Sequence, residues 1–421
     1  MIWRATTLGE LVRIEHGFAF KGEFFTGSGR QIVLTPGNFH EEGGFRARPG
    51  KDRYYAGEFP ERYVLERHAL IVAMTEQGEG LLGSAALVPD PETYLHNQRI
   101  GRVKERRELA DRRFLYYLLN TDHVRQQIRN SSSGTKVRHS SPERMYSAAV
   151  EVPDVALQRK IAGILSAYDD LIANNQRRIA LLESMAEEIY REWFVRMRFP
   201  GHESAKSEKG LPRGWRDVEL QAVAKVNANS ITRRLAPEWI EYLDISAVTT
   251  NAMSQPESTR IDDAPGRARR MAKHGDVIWS TVRPANRAYA LVLDPAENLI
   301  VSTGFAVISP RPGAPYTYLH QAVTTSNFVE QMVAVAKGSA YPATGFDDFA
   351  KARIIWPSDD LLRRFHALAE PMALETGVLR KQSVHLSKLR DALLPRLISG
   401  KLKVDHLDIQ LPPSMREKVT G

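Results

Sequence analysis

Cysteine is absent from the 421-residue chain. That removes disulfides, thiolate zinc sites and a cysteine nucleophile. A reducing compartment suits such a chain, and we expect it to be cytoplasmic. Long apolar runs are absent too: nothing approaches the roughly eighteen consecutive residues of a membrane-spanning helix, so no membrane partner is expected. The opening MIWRATTLGELVRIEHG lacks the basic stretch and apolar core of a secretion signal. Catalytic signatures are missing as well. Around Gly400-Lys401, Pro395 stands where a phosphate loop needs its first glycine, and Leu402 where a hydroxyl should follow. No HExxH helix and no GxSxG elbow occurs. LPPS near Pro412 lacks the flanking residues of an amine-methyltransferase motif. Neither Pro89-Asp90 nor Pro153-Asp154 leads into the Glu-x-Lys of a nuclease. The 12 histidines have no metal-ligand spacing. We therefore assign no catalytic residue, no metal and no cofactor to this chain.

What is present is one pattern used twice. Laid over itself, Phe114–Trp193 matches Tyr318–Leu397 without a gap. FLYYLLNTDHVRQQI falls on YLHQAVTTSNFVEQM, Gly134 on Gly338, and Val152-Pro153 on Trp356-Pro357. Upstream the match loosens, as in HALIVA from His68 against HGDVIW from His274. Units this long are domains, since solenoid periods run roughly 20–50 residues. Hydrophobic content of 43% and charged content of 26% are ordinary for a globular protein. A net charge of +8 favours an acidic polymer as partner.

Each copy closes with a long apolar-periodic stretch. After Pro153 and the N-cap candidate Asp154, the spacing predicts a helix running toward Phe199-Pro200-Gly201, roughly forty residues or ~60 Å. The second starts after Pro357-Ser358, and Pro395 should kink its end. Tyr168, Asn175, Leu182 and Ile189 recur every seven residues, as do Met372, Leu379, Leu386 and Leu393. A heptad stripe needs a helical partner. The two helices either pair with each other, with Asn175 selecting one register, or pack separately on their own domains.

Ahead of each helix the texture changes to short apolar runs: QIVLT, ALIVAM, SAALVP, DVIWST, AYALVL and FAVISP. These alternate with Gly, Pro, Asn and Asp clusters and read as strands joined by turns. One helix is expected in each segment, over Arg112–Ile128 and Tyr316–Val335. The class is therefore α+β: two domains with irregular sheets, joined by a polar linker over Pro200–Gly214. Their loops carry the candidate DNA contacts: Gln77 in EQGEG; Asn97, Gln98 and Arg99 in HNQR; Thr135, Lys136, Arg138 and His139 in SSSGTKVRHSS. In the second domain they are Arg283, Asn286 and Arg287 in STVRPANR, and Ser339 and Tyr341 in KGSAYPATG. Arg suits guanine edges, Asn and Gln suit adenine, and Ser, Thr and Lys suit phosphates. The basic stretches GRVKERRELADRR and GRARRMAK are candidates for phosphate binding.

These pieces resemble the specificity subunit of type I restriction–modification systems. LTPGNFHEEGGF, YYAGEFPERYVL, HNQRIGRV, FLYYLLNT, SGTKVRHSSPERMY and VPDVALQRKIAGILSAYDDLI are similar to that family's first target-recognition domain and its junction. NNQRRIALLESMAEEIYREWF resembles the central conserved region, and GLPRGWRDVEL the opening of the second recognition domain. VSTGFAVISP and SKLRDALLPRLISGKL resemble its later strand and the distal conserved region. The resemblance implies a target-recognition domain over 1–154, a central helical region over 155–207, a second recognition domain over 208–358, and a distal helical region with tail over 359–421. It implies a pseudo-twofold arrangement in which the two helices form an antiparallel coiled coil between the readers. The function implied is non-catalytic recognition of double-stranded DNA carrying a bipartite, asymmetric target. The partners implied are two modification subunits bringing S-adenosylmethionine, and two restriction subunits bringing ATP and Mg. Two other readings remain: a coiled-coil scaffold with no specific DNA reading, and a fragment of a fused restriction–modification enzyme.

Overall fold

The computed structural model describes residues 3–416 except 49, 77–79, 90–92, 135–136, 209 and 233. Two compact units emerge: Met1–Ala173 with Val384–Gly421, and Asn174–Ser383.

In the first unit, an antiparallel sheet has the order Val12–His16, Ile100–Glu105, Leu70–Ala73, Ala85–Leu87. All four residues of Leu70–Ala73 are buried. Strand alternation sends Leu70 and Val72 into one core with Val103 and Phe114, and Ile71 and Ala73 into another with Leu34, Phe39 and Ile100. A sheet covered on both faces reads as a continuous apolar run, which is why ALIVAM has no polar positions. A smaller sheet has the order Phe25–Thr26, Tyr54–Tyr55, Ile32–Val33, Tyr94–Leu95, its last pair parallel. Arg4–Thr7 pairs with Ala149–Val152.

The second unit uses the same devices. Its main antiparallel sheet has the order Ala224–Val226, Phe305–Pro310, Val277–Ser280, Tyr289–Leu291. Val277 and Trp279 face one core, and Ile278 faces the other. A second sheet has the order Glu257–Arg260, Trp239–Leu243, Leu299–Ser302, Ala268–Met271, with Trp239–Leu243 parallel to Leu299–Ser302. Arg216–Glu219 pairs with Arg353–Trp356.

The helix expected over Arg112–Ile128 is two helices, Arg112–Leu119 and Asp122–Asn130. Asn120 is drawn to the sheet, donating to Ala85 O at 3.1 Å and accepting from Ala85 N at 2.9 Å. Thr121 Oγ1 donates back to Leu118 O at 2.7 Å. The helix expected over Tyr316–Val335 breaks at the matching place into Tyr316–Ala322 and Ser326–Val335. There Thr325 caps the second piece by accepting from Phe328 N at 3.2 Å. Short polar side chains that bond the local backbone end helices where apolar periodicity alone runs on.

The long helices span Val155–Tyr190 and Asp359–Ile398. Asp154 caps the first, accepting from Leu157 N at 2.9 Å. That helix ends sooner than its periodicity predicts: a π turn at Arg191–Val195 follows, and Met197 adopts φ +58°. The second continues past Pro395 to Ile398. Within the first unit, Ile161 and Leu165 share a core with Leu397 and Ile398, and Asp169 Oδ1 meets Arg390 Nη1 at 2.6 Å. Within the second, Tyr190 and Phe194 lie against Phe365 at 6.0 and 5.3 Å between centroids. There Arg178 pairs with Glu375 at 2.6 Å, and Arg380 with Glu183. In each unit the two segments therefore run in opposite directions. Asn175 and Leu379 are buried, and Tyr168, Leu182, Ile189, Met372, Leu386 and Leu393 are half-buried. Leu171, Leu368 and Leu389, which share the helical spacing, are exposed.

The stretch 200–214 folds back on itself, with Ser207–Glu208 pairing with Leu211–Pro212. It is anchored where Phe199 meets Trp215 at 5.3 Å between centroids. In the first unit the C-terminal stretch lies along the first long helix. Lys160 Nζ donates to Asp405 O and Leu407 O at 2.7 and 2.8 Å, and Asp170 accepts from Ser414 N at 3.0 Å. Among the described residues, no helix is long and apolar enough to cross a membrane.

Candidate nucleic-acid interface

Three loops of the first unit meet on one backbone residue. Beyond strand Leu70–Ala73, Met74 N–H donates to Arg99 O at 3.1 Å, and Met74 O accepts from Ser140 N at 2.9 Å. The next two residues, Thr75–Glu76, pair with Arg138–His139. The turns carrying EQGEG, HNQR and SGTKVRH are thus tied together. Asn97 holds its own turn, accepting from Arg99 N at 3.0 Å, and leaves Gln98 and Arg99 exposed. Gly17 makes room for that turn: a Cβ there would lie 2.3 Å from the carbonyl of Asn97. Arg138 is half-buried and His139 exposed.

The second unit repeats the junction. Beyond Val277–Ser280, Thr281 N–H donates to Gly304 O at 2.9 Å, and Thr281 O accepts from Thr344 N at 2.9 Å. Val282 then bridges Ala343, and Arg283 N donates to Pro342 O at 2.7 Å. STVRPANR and KGSAYPATG, far apart in sequence, therefore share one place. Arg283, Asn286, Ser339 and Tyr341 are exposed there. Arg283 and Arg287, at φ +51° and +53°, bracket the turn Pro284–Asn286. Left-handed backbone at a non-glycine residue costs about 1–3 kcal/mol and tends to mark functional loops.

Some of the expected contact residues are already engaged within the protein. Arg287 Nη2 donates to Ser326 Oγ at 3.0 Å. Glu76 turns inward, accepting from Gly80 N, Leu81 N and Leu82 N at 3.1, 3.0 and 2.9 Å. Gln77, Thr135 and Lys136 lie outside the described residues. The basic stretch GRVKERRELADRR is largely neutralised. Arg102 meets Glu66 at 3.0 Å, Lys104 meets Glu15 at 3.0 Å, and Arg112 holds Glu105 at 3.0 Å. In GRARRMAK, Arg267 pairs with Asp244 at 2.7 Å, and Arg270 donates to Ser230 Oγ at 3.0 Å. Glu105 lies within the first stretch itself, whereas Glu15, Glu66, Asp244 and Ser230 come from outside the two stretches.

Sequence reasoning missed the loop Ser302–Gly304. It supplies the carbonyl at the second junction just as Arg99 does at the first, so Thr303 stands where HNQR stands. The only signal for it was the glycine of VSTGF after a strand. At the start of the HNQR turn, His96 is buried, its Nε2 2.8 Å from Ile100 O. Burial lowers its pKa from 6.5 to about 4, so the ring is neutral and Nε2–H donates. Among the described residues, no group of His, Asp and Glu could hold a metal ion.

The chain is thus a two-unit α+β protein with a matched loop junction in each unit. The family model described as "Type I restriction modification DNA specificity domain" matches residues 2–184. Over 307 residues the chain is 24% identical to the type I restriction enzyme MjaIX specificity subunit of Methanocaldococcus jannaschii, spanning 70% of each chain. Over 320 residues it is 23% identical to the MjaVIII specificity subunit of the same organism, spanning 73% of this chain and 74% of that one. The crystal structure of the type I restriction–modification S subunit from M. genitalium aligns with a TM-score of 0.58 at 14% identity, covering 94% of this chain and 96% of that one. That likeness shows a shared fold. Residues 2–184 thus match the type I DNA specificity domain, and the chain is similar to type I specificity subunits over most of its length.

Proposed function

We propose that this chain is the DNA-reading subunit of a type I restriction–modification complex. Each unit reads one half of a bipartite, asymmetric double-stranded target through the loops gathered at Met74 and at Thr281. Recognition domains over 1–154 and 208–358 alternate with helical regions over 155–207 and 359–421. The two long helices pair as an antiparallel coiled coil that separates the readers. Two modification subunits supply S-adenosylmethionine and methyl transfer, and two restriction subunits supply ATP- and Mg-dependent cleavage, in the cytoplasm. The chain itself carries out neither reaction.

The observation that carries this reading is the convergence, in each unit, of three sequence-distant loops on one backbone residue. Exposed Arg, Asn, Gln, Ser and Tyr side chains at a shared place suit base edges and phosphates. The family match of residues 2–184 supports the same role.

Methylome sequencing of cells carrying the chain with its methyltransferase partner tests it. Methylation at an interrupted, two-part motif is the expected result. Purified chain alone should transfer no methyl group from S-adenosylmethionine, and transfer would refute the non-catalytic assignment. A protein-binding scaffold would instead leave the methylation pattern independent of this chain's loops.

A further inference from the structure

We propose that Arg283 reads a guanine in the half-target of the second unit, with Tyr341 as the residue that positions it. The inference rests on the DNA-reading function proposed above and names the base and its reader.

The guanidinium of Arg283 lies over the Tyr341 ring, 4.6 Å from its centroid. Tyr341 is 70% exposed, an uncommon place for an aromatic ring with no structural duty. Among the described residues no carboxylate pairs with Arg283. Among those residues its side chain makes one hydrogen bond, a long 3.4 Å contact from Nη2 to Ala340 O. Other cations of this unit differ: Arg287 is held by Ser326 and Arg267 by Asp244. The backbone of Arg283 is fixed in the left-handed region by its bond to Pro342 O and by Asn286 N donating to Arg283 O at 2.8 Å.

An arginine stacked on an aromatic face keeps its planar fork in one orientation while the nitrogens on its edge stay free. That fork matches the O6 and N7 acceptors of guanine in the major groove, whereas a phosphate contact needs no such orientation. Stacking also limits the side-chain freedom lost on binding.

The first unit lacks this device at the matching position. Two residues beyond its junction stands Glu76, its carboxylate turned inward onto the N–H groups of Gly80, Leu81 and Leu82. Opposite, Val137 occupies the place of Tyr341. A guanine read in this way therefore belongs to one half of the target only.

The test uses the full chain assembled with its methyltransferase partner and a randomised duplex DNA library, sequencing the bound fraction. Wild type should enrich a two-part motif with an invariant guanine in one half. Arg283→Ala and Arg283→Lys should lower preference at that single position by roughly 5- to 150-fold, leaving the other positions and the other half intact. Tyr341→Phe should retain the preference and Tyr341→Ala should weaken it. Because both side chains are exposed, melting curves should be unchanged, and a variant that unfolds would contradict the exposed placement. Uniform weakening across all sequences by Arg283→Ala would make the contact a phosphate contact and overturn the guanine assignment while leaving the reader intact. Wild-type preference in Tyr341→Ala would likewise overturn the positioning of Arg283 by the ring. A wild-type complex that enriches no motif would overturn the reading function itself.

Discussion

His96 opens the HNQR turn with its Nε2–H on Ile100 O, and burial lowers its pKa from 6.5 to about 4. As pH falls through 6.5 the unfolded chain takes up a proton that the folded ring refuses. Stability is therefore complete above 6.5 and declines from there to about 4, where the folded ring also charges. The loss amounts to at most about 3 kcal/mol. Melting curves of wild type and His96→Asn near neutral pH and near pH ~5 should show the larger fall in wild type; His68 and His320, also lowered to about 4, contribute equally to both. Parallel falls would remove His96 as the titrating group. Gly17 bears on the same turn. Gly17→Ala puts a Cβ within 2.3 Å of Asn97 backbone atoms, so the turn must move. We expect it to lose roughly 1–3 kcal/mol of binding, confined to one half-target. Selection from randomised duplexes would reveal this as a blurred half-motif beside an intact one.

On the first long helix, Asp169 accepts from two partners: Tyr117 OH at 2.5 Å and Arg390 Nη1 at 2.6 Å. Both partners of the ion pair are about a quarter exposed, so screening is incomplete. Asp169→Ala leaves the Tyr117 hydroxyl without its carboxylate and Arg390 with Asp391 and Ser387. A loss of about 1–3 kcal/mol is expected in denaturant titration. In a double-mutant cycle with Arg390→Ala, a coupling indistinguishable from zero would show that the pair contributes nothing to helix association.

Spacing between half-targets tests the helices together. The family resemblance implies that they separate the readers. Four residues inserted near Asn174 lengthen one helix by ~6 Å, against ~3.4 Å per base pair. Four residues nearly complete a helical turn, so the apolar stripe rotates little. The bases read in each half should persist while the gap between them grows by about one or two base pairs. Methylome sequencing decides it: full activity at unchanged spacing would refute a ruler role.

Much of this architecture is legible in the chain itself. Strand runs such as ALIVAM and FAVISP, the heptads through Leu182 and Leu386, and the loops around Arg138 and Arg283 depend on local periodicity and turn chemistry. These are properties of neighbours in sequence. The breaks at Asn120-Thr121 and Thr324-Thr325 were not legible. Asn120 ends its helix partly by bonding Ala85 on a distant strand, and periodicity does not encode that partner. The fate of the basic stretches was hidden for the same reason, since Lys104 and Arg102 meet Glu15 and Glu66 only once the fold brings those distant residues beside them. Thr303 joining the second junction and Arg283 stacking on Tyr341 are consequences of pairing between remote segments. Local patterns specify which elements form, because backbone hydrogen bonding and side-chain alternation act over a few residues. Which loop side chains then remain exposed and unpaired with an acid is decided only when the sheets bring distant acids, hydroxyls and rings beside them.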